Sequence, residues 1–297
     1  MRRKAALILF VLTASALAAG QAPATSQNPL HRQYHEGETL AYHMTGVNEA
    51  WHYSIRAEGT VKKDTAGTWF EEYHWTDTTS DGQPVVLRAG TESFRQRVSL
   101  DPNAMPAVPD LTKVDPRLIG PITDFMTFYA DLWLAVKTGQ VTHPGDHFYF
   151  PMGQPSSWAD GVHTLVGVSS IDFDFTLKQL TAADGTAVLV VRHVPPAKPN
   201  IPLPASWMQT PVADTPNNWV QVAKQPDGKF MGGMGQETFT VELKVNLADG
   251  KILAGNMNNV VKIVERTCTD QALTQCGDPE RHEIVRKIDI ALEPQKP

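Results

Sequence analysis

The sequence predicts a mostly β protein: an antiparallel curved sheet, or half-barrel, wrapped around one amphipathic α-helix, with a Pro-rich loop and a C-terminal disulfide-closed β-hairpin. Three observations carry that expectation. Apolar and polar residues alternate with period two over most of the chain, as in half-buried strands. One stretch, residues 121–138, switches to steps of three and four, as in a helix with an apolar face. Turn signals (Ala66-Gly67, Asp81-Gly82, Ala183-Asp184-Gly185 and Asp249-Gly250) join neighbouring strands directly. Parallel crossovers would need helices between them.

Residues 1–24 read as a secretory signal peptide, with Arg2 to Lys4 as the basic region, an apolar run from Ala5 to Leu17, and cleavage after Ala18 or Ala24. The apolar run is shorter than the ~20 residues of a membrane span. No cysteine near it could carry a lipid. Without those three basic residues, 23 Lys and Arg face 32 Asp and Glu, a balance of about −9. Such a surface gives no footprint for nucleic acid or for anionic headgroups. The best second apolar stretch, Pro121 to Thr138, carries Asp124 and Asp131, each costing ~2.5–3.5 kcal/mol at mid-membrane. The expected product is a soluble protein of the periplasm or the extracellular space, with no transmembrane segment in the mature chain.

The half-barrel is expected over residues 25–194. Trp51, Tyr53, Ile55, Ala57 and Val61 share one strand face, and His52, Ser54, Arg56, Glu58 and Lys62 the other. Similar runs follow at Thr68–Thr76, Ser93–Leu100, Val162–Leu180 and Thr186–Val194. The helix over 121–138 takes Pro121 in its first turn and Gly139 just past its end. Its stripe of Ile122, Phe125, Met126, Tyr129, Leu132, Trp133 and Val136 needs a large apolar surface, which the inner face of the sheet supplies. Seven prolines between Pro195 and Pro216 exclude a central strand, so 195–217 is a loop. Trp207 and Met208 predict that it folds back on the body. Residues 218–297 then supply further strands that complete the same sheet. Cys268 and Cys276 enclose seven residues between two strand-like runs and are expected to be bonded in an exported chain.

The opening strand Gly37-Glu38-Thr39-Leu40-Ala41-Tyr42, the long hairpin after it and one aromatic helix after Asp115-Pro116 resemble a loosely defined group of periplasmic half-barrel proteins. Their architecture is similar to that of the outer-membrane lipoprotein carriers, which curl an antiparallel sheet around a helix and hold acyl chains in the concavity. The resemblance covers Glu36 to Val194. The Pro-rich segment, the disulfide hairpin and the strands after Trp219 depart from it.

Trp51, Tyr53, Trp69, Tyr73 and Trp75, with Phe125, Tyr129 and Trp133 of the helix, are the candidate lining of an apolar ligand cavity; a filled core is the alternative. Glu71 shares the face of Trp69, Tyr73 and Trp75, where burial would make it a candidate general acid. Asp172 and Asp174 alternate with Phe173 and Phe175 and read as a solvated strand face. The histidines His43, His52, His74, His143, His147 and His163 give no metal spacing, since Pro144-Gly145 separates His143 from His147. Met231-Gly232-Gly233-Met234 offers two soft ligands, or else a flexible glycine loop. No nucleophile elbow, phosphate loop or dinucleotide fingerprint is present, and no cofactor is expected.

Three function classes follow. The leading one is an exported binding protein for an apolar small molecule or a lipid. The others are an envelope hydrolase acting on a carbohydrate or ester, and a structural or interaction protein with a filled core. A carrier needs an apolar cavity, whereas an enzyme needs a perturbed acid or base beside a cleft.

Overall fold

The computed structural model describes residues 28–104, 109–159, 164–181 and 183–294. The signal-peptide expectation for residues 1–24 and the histidine at 163 lie outside the described residues. Alternating segments form strands β1 (Thr39–Asn48), β2 (Trp51–Lys63), β3 (Trp69–Ser80), β4 (Gln83–Pro84) and β5 (Gln96–Val98), followed by helix α1 (Pro116–Thr138). After it come β6 (His147–Phe150), β7 (Ser156–Ala159), β8 (Leu165–Ser169), β9 (Asp172–Thr181) and β10 (Thr186–Val194). The chain ends with β11 (Trp219–Lys224), β12 (Phe230–Asn246), β13 (Ile252–Cys268) and β14 (Glu280–Leu292). All the strands belong to one antiparallel, curved and unclosed sheet, ordered β4-β3-β2-β1-β14-β13-β12-β10-β9-β6, with β5 beside β3 and with β11, β8 and β7 continuing from β12.

The expected run at 162–180 is two strands. Within the described residues, β8 and β9 pair with different partners on either side of Ser170 and Ile171. β10 and β11 likewise pair with successive halves of β12, from His193↔Phe239 upward and from Trp219↔Gly235 downward. The Pro-rich loop is therefore an excursion between two strands that follow the same edge. At the gap the buried side chain of Asn218 stands in for the interrupted ladder. It donates to Ser170 O and Glu237 O at 3.0 and 3.1 Å, and its Oδ1 accepts from Glu237 N at 2.7 Å. β12 starts at Phe230, so Met231 to Met234 are strand and not a flexible loop. Three-residue spacing in a strand puts Met231 and Met234 on opposite faces, which removes them as joint metal ligands.

The inner face buries Tyr42, Met44, Ile55, Tyr73, Leu189, Val241 and Ile290 against Leu118, Phe125, Phe128 and Leu132 of α1. Two glycines let aromatic rings lie flat on the sheet. Gly46 faces Tyr53 and Gly59 faces Tyr73 across neighbouring strands, and a Cβ at either position would overlap the ring.

α1 begins five residues earlier than the periodicity predicts, because Asp115 caps it and Pro116 fills its first position. Pro121 then lies inside the helix, where it removes one backbone donor. Gly139 closes the other end in the left-handed conformation. The Asp115 carboxylate accepts from the backbone of Arg117 and Arg88 at 3.0 and 2.8 Å and from the Arg117 guanidinium. Those bonds hold its pKa far below the usual aspartate value, the Arg117 guanidinium foremost. Asp115→Ala is expected to cost about 1–2 kcal/mol at neutral pH. A depressed carboxylate stabilises above its unfolded pKa, and that contribution is lost as pH falls through its folded pKa. Thermal melts of the two proteins should therefore converge in strong acid and diverge above the ordinary Asp range.

On the outer face, the Pro-rich loop covers the lower halves of β12 and β13. Met208, Val220, Met234, Val264, Cys268 and Leu273 form a second buried cluster there. Trp207 donates to Leu273 O at 3.0 Å, so the loop does fold back on the body. Cys268 and Cys276 are bonded, at the base of the turn joining β13 to β14. Closing so short a loop is worth about 2–3 kcal/mol. Reduction is expected to lower the unfolding free energy by that amount, and to raise Trp207 exposure to a soluble quencher, because Leu273 holds that ring.

Candidate functional site

The expected aromatic residues divide into two sets. Tyr53, Tyr73, Trp75, Phe125 and Tyr129 are buried, while Trp51, Trp69 and Trp133 are half-buried at the margins. Phe125 is the hub of the first set, with ring centroids 5.0–5.5 Å from Tyr42, Tyr73, Trp75 and Tyr129. Glu71 is buried, as its strand face implies, but its oxygens are committed. Arg32 Nε donates to one at 3.1 Å, and the Tyr73 and Tyr129 hydroxyls donate to the other at 2.8 and 2.5 Å. Arg32, with no side-chain exposure, also reaches Glu38 at 2.6 Å. Burial pulls the Arg32 pKa down, but Glu71 and Glu38 more than reverse this and leave it raised. This network anchors the segment before β1 rather than exposing an acid to substrate.

Asp172 is buried, not solvated. It accepts from the Tyr149 hydroxyl and from Met152 N at the end of β6. Asp174 is half-buried, beside the exposed His147 and Arg192. Among the described residues, no group of three or more His, Cys, Asp or Glu is placed to hold a metal ion.

A different constellation lies where the inner face runs out from beneath α1. Strand registers put Trp51, Asn48, Arg286, Asn259, Phe239, His193, Phe173 and Phe150 in one line across β2, β1, β14, β13, β12, β10, β9 and β6. α1 supplies carboxylates to this row. Asp124 and Asp131, seven apart and so on one helix face, stand on either side of Phe128. Asp124 pairs with the Arg286 guanidinium and accepts from the Tyr53 hydroxyl at 3.3 Å. Asp131 Oδ2 lies 2.8 Å from His193 Nε2, both groups being buried. The imidazole is stacked on Phe239 with centroids 3.6 Å apart and meets the edge of Phe173 at 4.7 Å.

Below the row, Glu237 of β12 accepts from Asn259 Nδ2 at 3.1 Å. Burial raises the pKa of all three carboxylates. For Asp124 and Asp131 the opposing pull is the neighbouring Arg286 or His193, and for Glu237 it is chiefly the Asn259 amide. Further down the same face, Trp219 sits beside Trp158 at 6.2 Å and forms a small cluster with Val261 and Ile263. The arrangement offers half-buried aromatic surface around a few convergent polar groups. Two surface grooves lie elsewhere, one of about 320 Å³ at the ends of β1, β13 and β14, the other beside Ala223 to Pro226.

His193, Glu237, Asn259 and Arg286 carry no motif, and only strand register brings them together. Asp124 and Asp131 did carry a signal: two acids at heptad spacing inside an apolar stripe must face the sheet. No helix among the described residues is long and apolar enough to cross a membrane. Comparison with protein families, curated proteins and solved structures returns no match.

Proposed function

We propose that the protein is an exported, soluble binding protein of the cell envelope, whose ligand lays an apolar body on the concave face beside α1. The observation that carries this reading is the in-register row, in which half-buried Trp51, Phe239, Phe173 and Phe150 flank Arg286, Asn259 and His193. Ligand sites pair apolar lining with a few polar groups that fix orientation. The resemblance to half-barrel carriers and the disulfide, which suits an oxidising compartment, support the same reading. The row supplies the apolar contact in preference to Tyr73, Phe125 and Tyr129, whose rings are engaged with one another.

Protein purified gently from an exporting host is expected to show discrete added mass in native mass spectrometry. The Phe239→Ala/Phe173→Ala double variant is expected to lose it. Bare wild-type protein that also takes up nothing from an offered lipid extract would sink the reading. A second reading, an envelope hydrolase for a carbohydrate or ester, draws on Glu237, whose raised pKa and neighbouring His193 suit proton transfer. Its signature is turnover on an ester and glycoside panel that Glu237→Gln abolishes.

A further inference from the structure

The three carboxylates of this site, Asp124, Asp131 and Glu237, outnumber its two basic side chains, Arg286 and His193. Asp124 has Arg286 and Asp131 has His193, each within ion-pair distance. Glu237 forms no ion pair among the described residues: its hydrogen-bond partners are the neutral Asn259 and Ser169, and Arg286 and His193, each paired with a carboxylate of α1, act on it only through their field. Beside it, Asn259 is 2% exposed and projects to the concave face, yet its Oδ1 has no hydrogen-bond partner. Its amide is oriented by Glu237, since turning it over would set an oxygen against a carboxylate.

A buried acceptor without a donor is costly, and a buried carboxylate whose neighbouring basic groups are paired elsewhere more so. The two lie next to each other, joined by the 3.1 Å bond from Asn259 Nδ2 to Glu237 Oε1. We infer that the head of the ligand is a hydrogen-bond-donating cation, a primary ammonium, seated between Glu237 and Asn259; the inference rests on the binding reading above.

An ammonium brings three donors and one positive charge, which satisfies both groups. A carboxylate head would meet Glu237, Asp124 and Asp131 and find Arg286 and His193 already paired. A hydroxyl head would supply a donor but leave Glu237 without an ion-pair partner of its own. Phe239, next in the row to Asn259, gives the attached alkyl chain its first apolar contact.

The test is calorimetric titration of the full exported chain at neutral pH and low salt with octylamine, octanol and octanoate, which share a tail and differ in head. Octylamine is expected to bind at least ten-fold more tightly than octanoate, and Glu237→Gln to erase that difference while leaving octanol unchanged. Equal binding of the three, or a preference for octanoate, overturns the ammonium assignment and leaves the binding reading standing. Binding of none of them overturns both. Asn259→Asp is the second variant, should Glu237→Gln fail to fold. A second carboxylate at that position is expected to widen the preference for octylamine, and an unchanged or narrowed preference counts against the assignment.

Discussion

Arg32→Ala is expected to destabilise the protein by about 3–5 kcal/mol, the loss typical when one member of a buried ion pair is removed. The guanidinium is wholly buried, bonded to Glu71 at 3.1 Å and to Glu38 at 2.6 Å. Without it, Glu71 is left, among the described residues, with the Tyr73 and Tyr129 hydroxyls and no cation in contact inside an aromatic core. Glu38 suffers less, because Lys251 remains beside it. The segment before β1 should also loosen, since Arg32 is one of its buried anchors, beside Leu30, the Tyr34 hydroxyl accepting from Leu100 N at 2.7 Å and Gln33 N on Asp249 O at 2.8 Å. Urea unfolding measures the loss. The Arg32→Met/Glu71→Gln double variant should recover much of it, because both charges leave together. A loss below about 1 kcal/mol in the single variant, the scale of an exposed pair, would mean that Glu71 is solvated.

That network shows where sequence reasoning stops. Glu71 was legible as an inward residue, because it alternates with Trp69, Tyr73 and Trp75. Its partner was not, since Arg32 lies 39 residues away in a segment without periodicity. The same division runs through the rest of the molecule. α1, the alternating faces of β2 and β3, the hairpin turns and the disulfide all depend on local spacing, and local spacing is what a sequence displays. Asp172 misled for a related reason. Alternation assigns a residue to a face but does not say whether another strand end, here the end of β6, will cover that face. The polar row needs the register of eight strands at once. His193 is therefore an unremarkable strand residue in the sequence and a stacked, carboxylate-bound imidazole in the fold. The stretch Met231 to Met234 reads in the sequence as a flexible glycine loop, since Gly232, Gly233 and Gly235 depress strand propensity. In the structure those glycines lie where β12 pairs with both β11 and β13; Leu273 of the disulfide turn and Met208 of the Pro-rich loop crowd Gly232, and Ile263 and Glu265 of β13 crowd Gly233.

Phe125→Ala is expected to cost about 3–5 kcal/mol, as truncations of fully buried aromatic residues do. The ring is 0% exposed and meets Tyr42, Tyr73 and Trp75 edge-on, with interplanar angles of 69°, 74° and 81°. Edge-to-face pairs each add about 0.5–1.5 kcal/mol beyond the buried area. The neighbours have little room to collapse, since Tyr73 and Tyr129 are tied to Glu71, and Trp75 Nε1 to Gln96 Oε1 at 3.0 Å. A cavity should therefore persist, and apolar cavities of that kind stay dry and accept benzene. Benzene in the buffer is expected to raise the melting temperature of the variant and leave the wild type unmoved. Phe239→Ala is the contrasting case, because its ring is only half-buried in the row beyond the helix: a smaller loss of stability, no rescue by benzene, and loss of bound ligand. If Phe125→Ala instead sheds ligand while keeping its stability, the binding surface lies under α1 and the row is not the site.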